Sequence, residues 1–432
     1  MDLTDKKVAN CNFRLKLKTS KNKFIMLFLF INYEKGLFEM KNNRIYKNQL
    51  NYGLLLPVFL LCIIGLLSLY VALYHDSYTN SKITKELIKQ VLWYSIGFTS
   101  AITIYFFNPK ILWKLTPIFY GLCIIMLLLL LKFYNPQLAV LTGAKNWFYI
   151  AGFSFQPTEL VKIGYTLMLA KITVNYQQKS ITSNTKDDWI YLLKTFIATL
   201  PIGILLFFQN DLGTMLVFIV IYIFILFTSN INIKIIAPII AIGVVLSLIF
   251  LYLVISDTGR DFLLKIGFHD YQFKRIDSWL NPFLDPNGSS YQLANSLIAI
   301  GSGGLLGTGF NVSNIHVPVR ESDMIFSVIG ENFGFIGSCL VIFLYFYLIY
   351  QMYKTCFKSN NLFFTYIGIG IVAMIFFHVF ENIGASIGLL PLTGIPLPYI
   401  SQGGSAILSN FLGLGFMLCC SRYTNEKKGT QK

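Results

Sequence analysis

From residue 52 almost to the C-terminus, this chain is a succession of apolar runs long enough to cross a bilayer. They cover roughly 52–74, 90–107, 114–133, 159–177, 190–208, 211–229, 233–255, 323–350, 362–383 and 399–420. About 20 mostly apolar residues span the ~30 Å hydrocarbon layer as a helix. Backbone polar groups in lipid must be satisfied within the structure, which leaves helices or closed barrels. These runs are continuously apolar and lack the alternation of barrel strands. The sequence therefore predicts an all-α polytopic membrane protein of about ten transmembrane helices, with a large extracytoplasmic loop, 256–322, before the eighth. Composition agrees: 55% of the residues are hydrophobic and only 13% charged, and the mean hydropathy is +0.61, far from a soluble domain.

Charge predicts the orientation. Lys41, Arg44 and Lys47 precede the first run, and Lys110, Lys114, Lys234, Lys354 and Lys358 follow runs two, six and eight. Arg422, Lys427 and Lys428 end the chain. With an even number of spans these fall on one side, which the positive-inside bias makes cytoplasmic. Lys82, Lys85 and Lys89, in the expected loop after the first run, oppose this mildly. Both termini are thus expected on the cytoplasmic side of the membrane, and the net charge of +15 reads as affinity for anionic membrane lipids. No nucleic-acid-binding signature accompanies it.

Residues 1–39 differ in character. They are basic, and their one apolar run, Phe24–Ile31, is too short to span. Asn32-Tyr-Glu-Lys offers no cleavage site for a signal peptide. The expectation is a non-native or disordered extension ahead of a single transmembrane domain, 40–432, with Met40 reading like a fresh start. The seven cysteines avoid the long outer loops and show no Cys/His spacing, so neither a disulfide framework nor a zinc site is expected.

Ionisable residues at membrane depth are costly and usually face a cavity or a partner. Several stand at helix boundaries here. Asp323 lies where the polar loop meets the eighth run, and Glu331 follows eight residues on. Taken alone, Asp323 is equally compatible with an acid favouring a helix N-terminus. In the outer segment 134–158, Trp147 precedes Gln156-Pro-Thr-Glu159-Leu-Val-Lys162, where Glu159 and Lys162 share a helix face and can pair. Trp147 also suits a membrane interface without further function. Asp211 opens the sixth run, Asn382 lies in His378-Val-Phe-Glu-Asn, and Ser405 follows a Pro/Gly-rich break at 390–405. Under one topology Glu159, Lys162, Asp211, Asp323 and Ser405 all map to the outer face, which suggests a shared cavity. Within the large loop, Gly259–Trp279 reads as an amphipathic helix on the membrane. The glycines of 301–309 allow close backbone approach to a ligand or another helix. They follow no strand and precede no Walker lysine, so dinucleotide and P-loop readings fail.

Six motifs in order give a family resemblance over about residues 50–420. They are Gly143-Ala-Lys-Asn-Trp147, Gln156-Pro-Thr-Glu-Leu-Val-Lys162, Gln209-Asn-Asp-Leu-Gly-Thr214, Tyr291-Gln…Ala299-Ile-Gly-Ser-Gly-Gly304, Asp323-Met-Ile-Phe…Gly330-Glu331 and Thr393-Gly-Ile-Pro-Leu-Pro…Gly403-Gly-Ser405. The chain resembles the SEDS proteins (shape, elongation, division and sporulation), which polymerise lipid II into peptidoglycan, and within them the RodA elongation branch more than the FtsW division branch. Asn210, Glu321-Ser322, Asn332 and Gln402 depart from the family's usual Pro, His-Thr, Glu and Tyr.

The resemblance implies an inverting glycosyltransferase acting on lipid II, with Asp323 as general base or as ligand to a divalent cation, Mg or Mn. It implies substrate-binding roles for Lys162, Glu159, Asp211, Glu331, Ser405, Trp147 and Asn382. The implied partners are a class B penicillin-binding protein (a single-span transpeptidase) and other elongation-complex proteins. The competing readings are a flippase for lipid-linked precursors, which broken helices also serve, and a structural scaffold for a wall-synthesis complex.

Overall fold

The computed structural model describes residues 51–76, 79–150, 153–179, 185–268, 270–286 and 288–423, all within one compact unit, residues 48–424. The extension expected over residues 1–39 lies outside the described residues.

Each of the ten apolar runs is a helix: α1 (Tyr52–His75), α2 (Asn80–Tyr105), α3 (Pro109–Phe133), then, beyond the short α4 (Pro136–Thr142) and a hairpin of β1 (Phe148–Ile150) and β2 (Phe153–Phe155), α5 (Pro157–Lys179), α6 (Thr185–Phe208), α7 (Leu212–Thr228) and α8 (Ile233–Ile255). The large loop holds α9 (Asp257–Ile266), α10 (Asp270–Leu280) and α11 (Tyr291–Ser302), and the chain closes with α12 (Ile325–Lys358), α13 (Leu362–Ser386) and α14 (Gly404–Arg422). Seven of the ten are long and apolar enough to cross a membrane by length and composition; α2, α5 and α7 fall short, α7 by its 17 residues. Helix starts follow local chemistry. Asn108 and Asn135 cap amides of α3 and α4, each with Pro at the first helical position, and Asn361 caps α13.

Three boundaries differ from the sequence reading. α2 begins at Asn80, so Lys82, Lys85 and Lys89 sit on its first turns and not in a loop. The amphipathic stretch Gly259–Trp279 is two helices, because Gly267 takes a left-handed conformation (φ +110°) that terminates α9. The Arg260–Asp277 pair then staples α9 to α10 at 2.5 Å. Finally, α12 is broken at Gly334 (φ +64°). Phe335 and Ile336 donate their amides to Gly304 and Leu305 carbonyls, and Thr308 to that of Glu331. A Cβ on Gly307 would stand 2.1 Å from the Asn332 carbonyl oxygen. The glycines after α11 therefore admit another helix's backbone.

α13 is the central post, packed against α5, α7, α12 and α14, while α14 also lies along α2. Its apolar window is 83% buried, against 6% for α8, which stands at the periphery. Outward-facing Phe343 and Phe346 on α12 present the apolar surface a bilayer covers.

Candidate active site

Asp323 lies within a run of tight turns from Pro318 to Met324, in which Val319 stands at φ +55°. It is half-buried, and its Oδ1 accepts a hydrogen bond from Ser322 Oγ at 3.0 Å. It makes no side-chain bond to the amides of α12, so capping does not account for it. Burial pushes its pKa above the ordinary 3.8, outweighing the Ser322 bond and the nearby Arg275 charge. The adjoining Glu321 is raised as well, by burial first and then by the charges of Asp76 and Asp323.

The end of α13 and the break before α14 form the surroundings. Asn382 Nδ2 donates to the Asp323 and Ile395 carbonyls, each at 2.8 Å. Glu381 accepts from the Thr393 hydroxyl, and Arg275 on α10 donates to the Leu392 carbonyl at 3.3 Å. Between these anchors is Gly394, exposed and at φ +80°, where a Cβ would come 3.3 Å from Asp323 Oδ2. The carboxylate thus rests against a backbone turn that is open to solvent at Gly394. Below the turn, Ser401 Oγ donates to the Ser322 carbonyl at 2.6 Å and the Gln402 amide to that of Glu321 at 2.9 Å. On the far flank Arg320, 1% exposed, lies 2.6 Å from Asp76 at the end of α1.

Lys162 and Glu159 pair as their spacing predicts, at 2.8 Å, and are buried. His378 Nε2 stands 3.0 Å from Lys162 Nζ, which closes the clasp around a lysine 1% exposed. His378 and Asn382 are one turn apart on α13, so the clasp and the Asp323 neighbourhood share one helix face. Ser405 meets the chain just before α5, its Oγ accepting from the Gln156 amide at 3.3 Å.

The remaining residues are engaged elsewhere. Asp211 caps α7 through the Thr214 amide and accepts from Asn146 at 2.8 Å. Glu331 holds the loop before Asp323, accepting from the Asn314 amide at 2.7 Å and Ser313 Oγ at 3.0 Å. Trp147 is half-buried, and its carbonyl accepts from the Asn135 amide. The structure therefore joins Asp323 to Asn382, and Glu159 to Lys162, and spends Asp211 and Glu331 on anchoring backbone.

Two residues absent from the sequence-based set belong here. Glu381, 2% exposed, has one oxygen on Thr393 and the other, Oε2, buried with no hydrogen-bond partner among the described residues. Its signal was available: an acid inside an apolar span beside Asn382. Arg275 had no such signal, because nothing in the sequence separates it from Lys274 or Arg260.

Among the described residues no group of three or more His, Cys, Asp or Glu is arranged to hold a metal. Asp323 fits a cation such as Mg²⁺ as a single carboxylate ligand, since Mg²⁺ commonly takes one or two carboxylates and shares the rest of its shell with substrate phosphates.

Fold and site together define a polytopic helical membrane protein with a half-buried carboxylate at the end of its bundle. Residues 52–426 match the family model of the FtsW, RodA and SpoVE cell cycle proteins, and the chain belongs to that family. It is 31% identical to the stage V sporulation protein E of Bacillus subtilis, over 86% of this chain and 96% of the relative. It is 32% identical to the peptidoglycan glycosyltransferase MrdB of Escherichia coli K12, over 74% and 80%. Among solved structures, one from work on the structural coordination of polymerization and crosslinking by a peptidoglycan synthase complex superposes with a TM-score of 0.68 at 25% identity, over 88% of this chain and all of that one. The Thermus thermophilus rod shape determining protein RodA superposes at 0.60 and 24% identity, over 88% and 99%, a likeness of fold.

Proposed function

We propose that this protein polymerises lipid II into glycan strands for cell-wall elongation and the maintenance of cell shape, with Asp323 as the general base. The observation that carries the reading is the carboxylate itself: half-buried, unused as a helix cap and set against a solvent-open turn. The peptidoglycan glycosyltransferase MrdB is a relative over three quarters of the chain, which supports the same chemistry. The assignment to elongation rests on the Thr393–Pro398 and Tyr291-Gln motifs.

In this reading the acceptor's sugar hydroxyl gives its proton to Asp323 as its oxygen attacks the anomeric carbon of the donor. The bond from that carbon to the diphosphate breaks, and the diphosphate departs with the lipid. One displacement inverts the anomeric centre. A positioned base contributes ~10²–10⁴ in rate. A raised pKa suits the role, since it brings basicity closer to that of the proton donor. A divalent cation held by Asp323 would supply charge neutralisation for the departing diphosphate. Arg275, which holds the Leu392 carbonyl, adds positive charge near Asp323. Lys162 lies inside its clasp, so any contact it makes with substrate requires Glu159 and His378 to release it.

A class B penicillin-binding protein is the natural partner, because polymerised strands need crosslinking and a related structure concerns both steps. The setting is a bacterial plasma membrane, with both termini cytoplasmic. Purified full-length protein supplied with lipid II in detergent should yield glycan polymer on a gel. A preparation that moves labelled lipid II between leaflets of a vesicle yet yields no polymer would establish the flippase instead.

A further inference from the structure

Three consecutive anchors hold the turn that supports Asp323. Arg275 takes the Leu392 carbonyl, Glu381 the Thr393 hydroxyl and Asn382 the Ile395 carbonyl. Asn382 also takes the carbonyl of Asp323. Gly394, the member of the turn left between these anchors, lies against the Asp323 carboxylate. Pro391 and Pro396, which flank the turn, donate no amide. The anchors observed between them are side chains. One of those is a carboxylate sealed in an apolar helix, a costly choice that a mere connection does not need.

We infer that Glu381 is a positioning residue for Asp323: by holding Thr393 it fixes the Leu392–Ile395 turn against which the Asp323 carboxylate is aimed. This rests on the reading of Asp323 as the base. Glu381 itself meets no reacting atom. Its contribution is the direction of Asp323, and misplacement of a reacting group by ~1 Å can cost ~10² in rate.

The test uses full-length protein and lipid II. Glu381→Leu removes the acceptor for Thr393, Thr393→Val removes the donor, and Glu381→Gln keeps an oxygen that can accept. The expected result is a loss of about ten- to a hundredfold in kcat for Glu381→Leu and for Thr393→Val, with KM for lipid II unchanged. Glu381→Gln should restore most of the rate. In an Asp323→Asn background, Glu381→Leu should cost nothing further, because its effect passes through Asp323. Should Glu381→Leu fold poorly, Thr393→Val carries the same comparison. Wild-type kcat in Thr393→Val, or a Gln variant as impaired as Leu, would overturn the inference. Full activity in Asp323→Asn alone would instead remove the base assignment on which it stands.

Discussion

At the scale of one residue, the role proposed for Asp323 sets function against stability. Its folded pKa lies above the ordinary 3.8 because burial disfavours the charged form. The folded state therefore holds this proton more tightly than the unfolded state does. Stability from this group is greatest at low pH, declines as pH rises from 3.8 through the raised folded value, and stays lower above it. Asp323→Asn removes the buried charge, so at neutral pH it should melt at or above the wild-type temperature by differential scanning fluorimetry. A clear drop would mean that the charge stabilises the fold. The prominence of Asp323 was legible in sequence, since a carboxylate at a loop–helix seam in so apolar a chain is conspicuous. What it contacts was not, because Asn382 and Gly394 lie 59 and 71 positions away by the numbering. Pairing of Lys162 with Glu159 followed from helical spacing. Closure of the clasp by His378 required the tertiary fold.

Helices were readable because lipid demands continuous apolar runs; breaks within and between them were less so. The interruption of α12 at Gly334 comes from the loop after α11 bonding into its backbone, a long-range pairing without local signal. The split of α9 from α10 had a local signal in Gly267, which amphipathic periodicity on both sides concealed. Two predictions belong at this scale. Gly394→Ala forces a side chain into a left-handed turn, at about 1–3 kcal/mol of strain, with its Cβ 3.3 Å from the Asp323 carboxylate. Polymerisation should fall about tenfold or more as the base is displaced, as initial-rate assays would register. Arg320→Ala removes the 2.6 Å ion pair that ties Asp76 at the end of α1 to the segment before Asp323, leaving Asp76 with His316 at 3.2 Å. Losing one member of a buried pair costs about 3–5 kcal/mol, so a marked fall in melting temperature is expected. A melting curve superimposed on wild type would show the pair to be dispensable.

For the whole molecule, the basic residues flanking the spans predict the orientation. A reporter fused after Lys432 should report from the cytoplasm, and Leu284→Cys, at an exposed position in the large loop, should react with an impermeant thiol reagent outside intact cells. Labelling of Leu284→Cys only after permeabilisation would reverse the topology and with it the side on which the site acts. Burial is uneven across the bundle, from the central α13 to the nearly bare α8. Truncating Ile371 of α13 to Ala should therefore cost about 2–5 kcal/mol, whereas Leu246→Ala on α8 should cost far less.

The catalytic role proposed for Asp323 is most directly tested by polymer yield from purified Asp323→Asn protein supplied with lipid II. Asn keeps the size and much of the hydrogen bonding of Asp while removing both the base and the anionic metal ligand. The variant should insert, remain folded and lose at least ~100-fold in rate, the low end for a general base. Wild-type polymer yield from a well-folded Asp323→Asn protein would contradict the account.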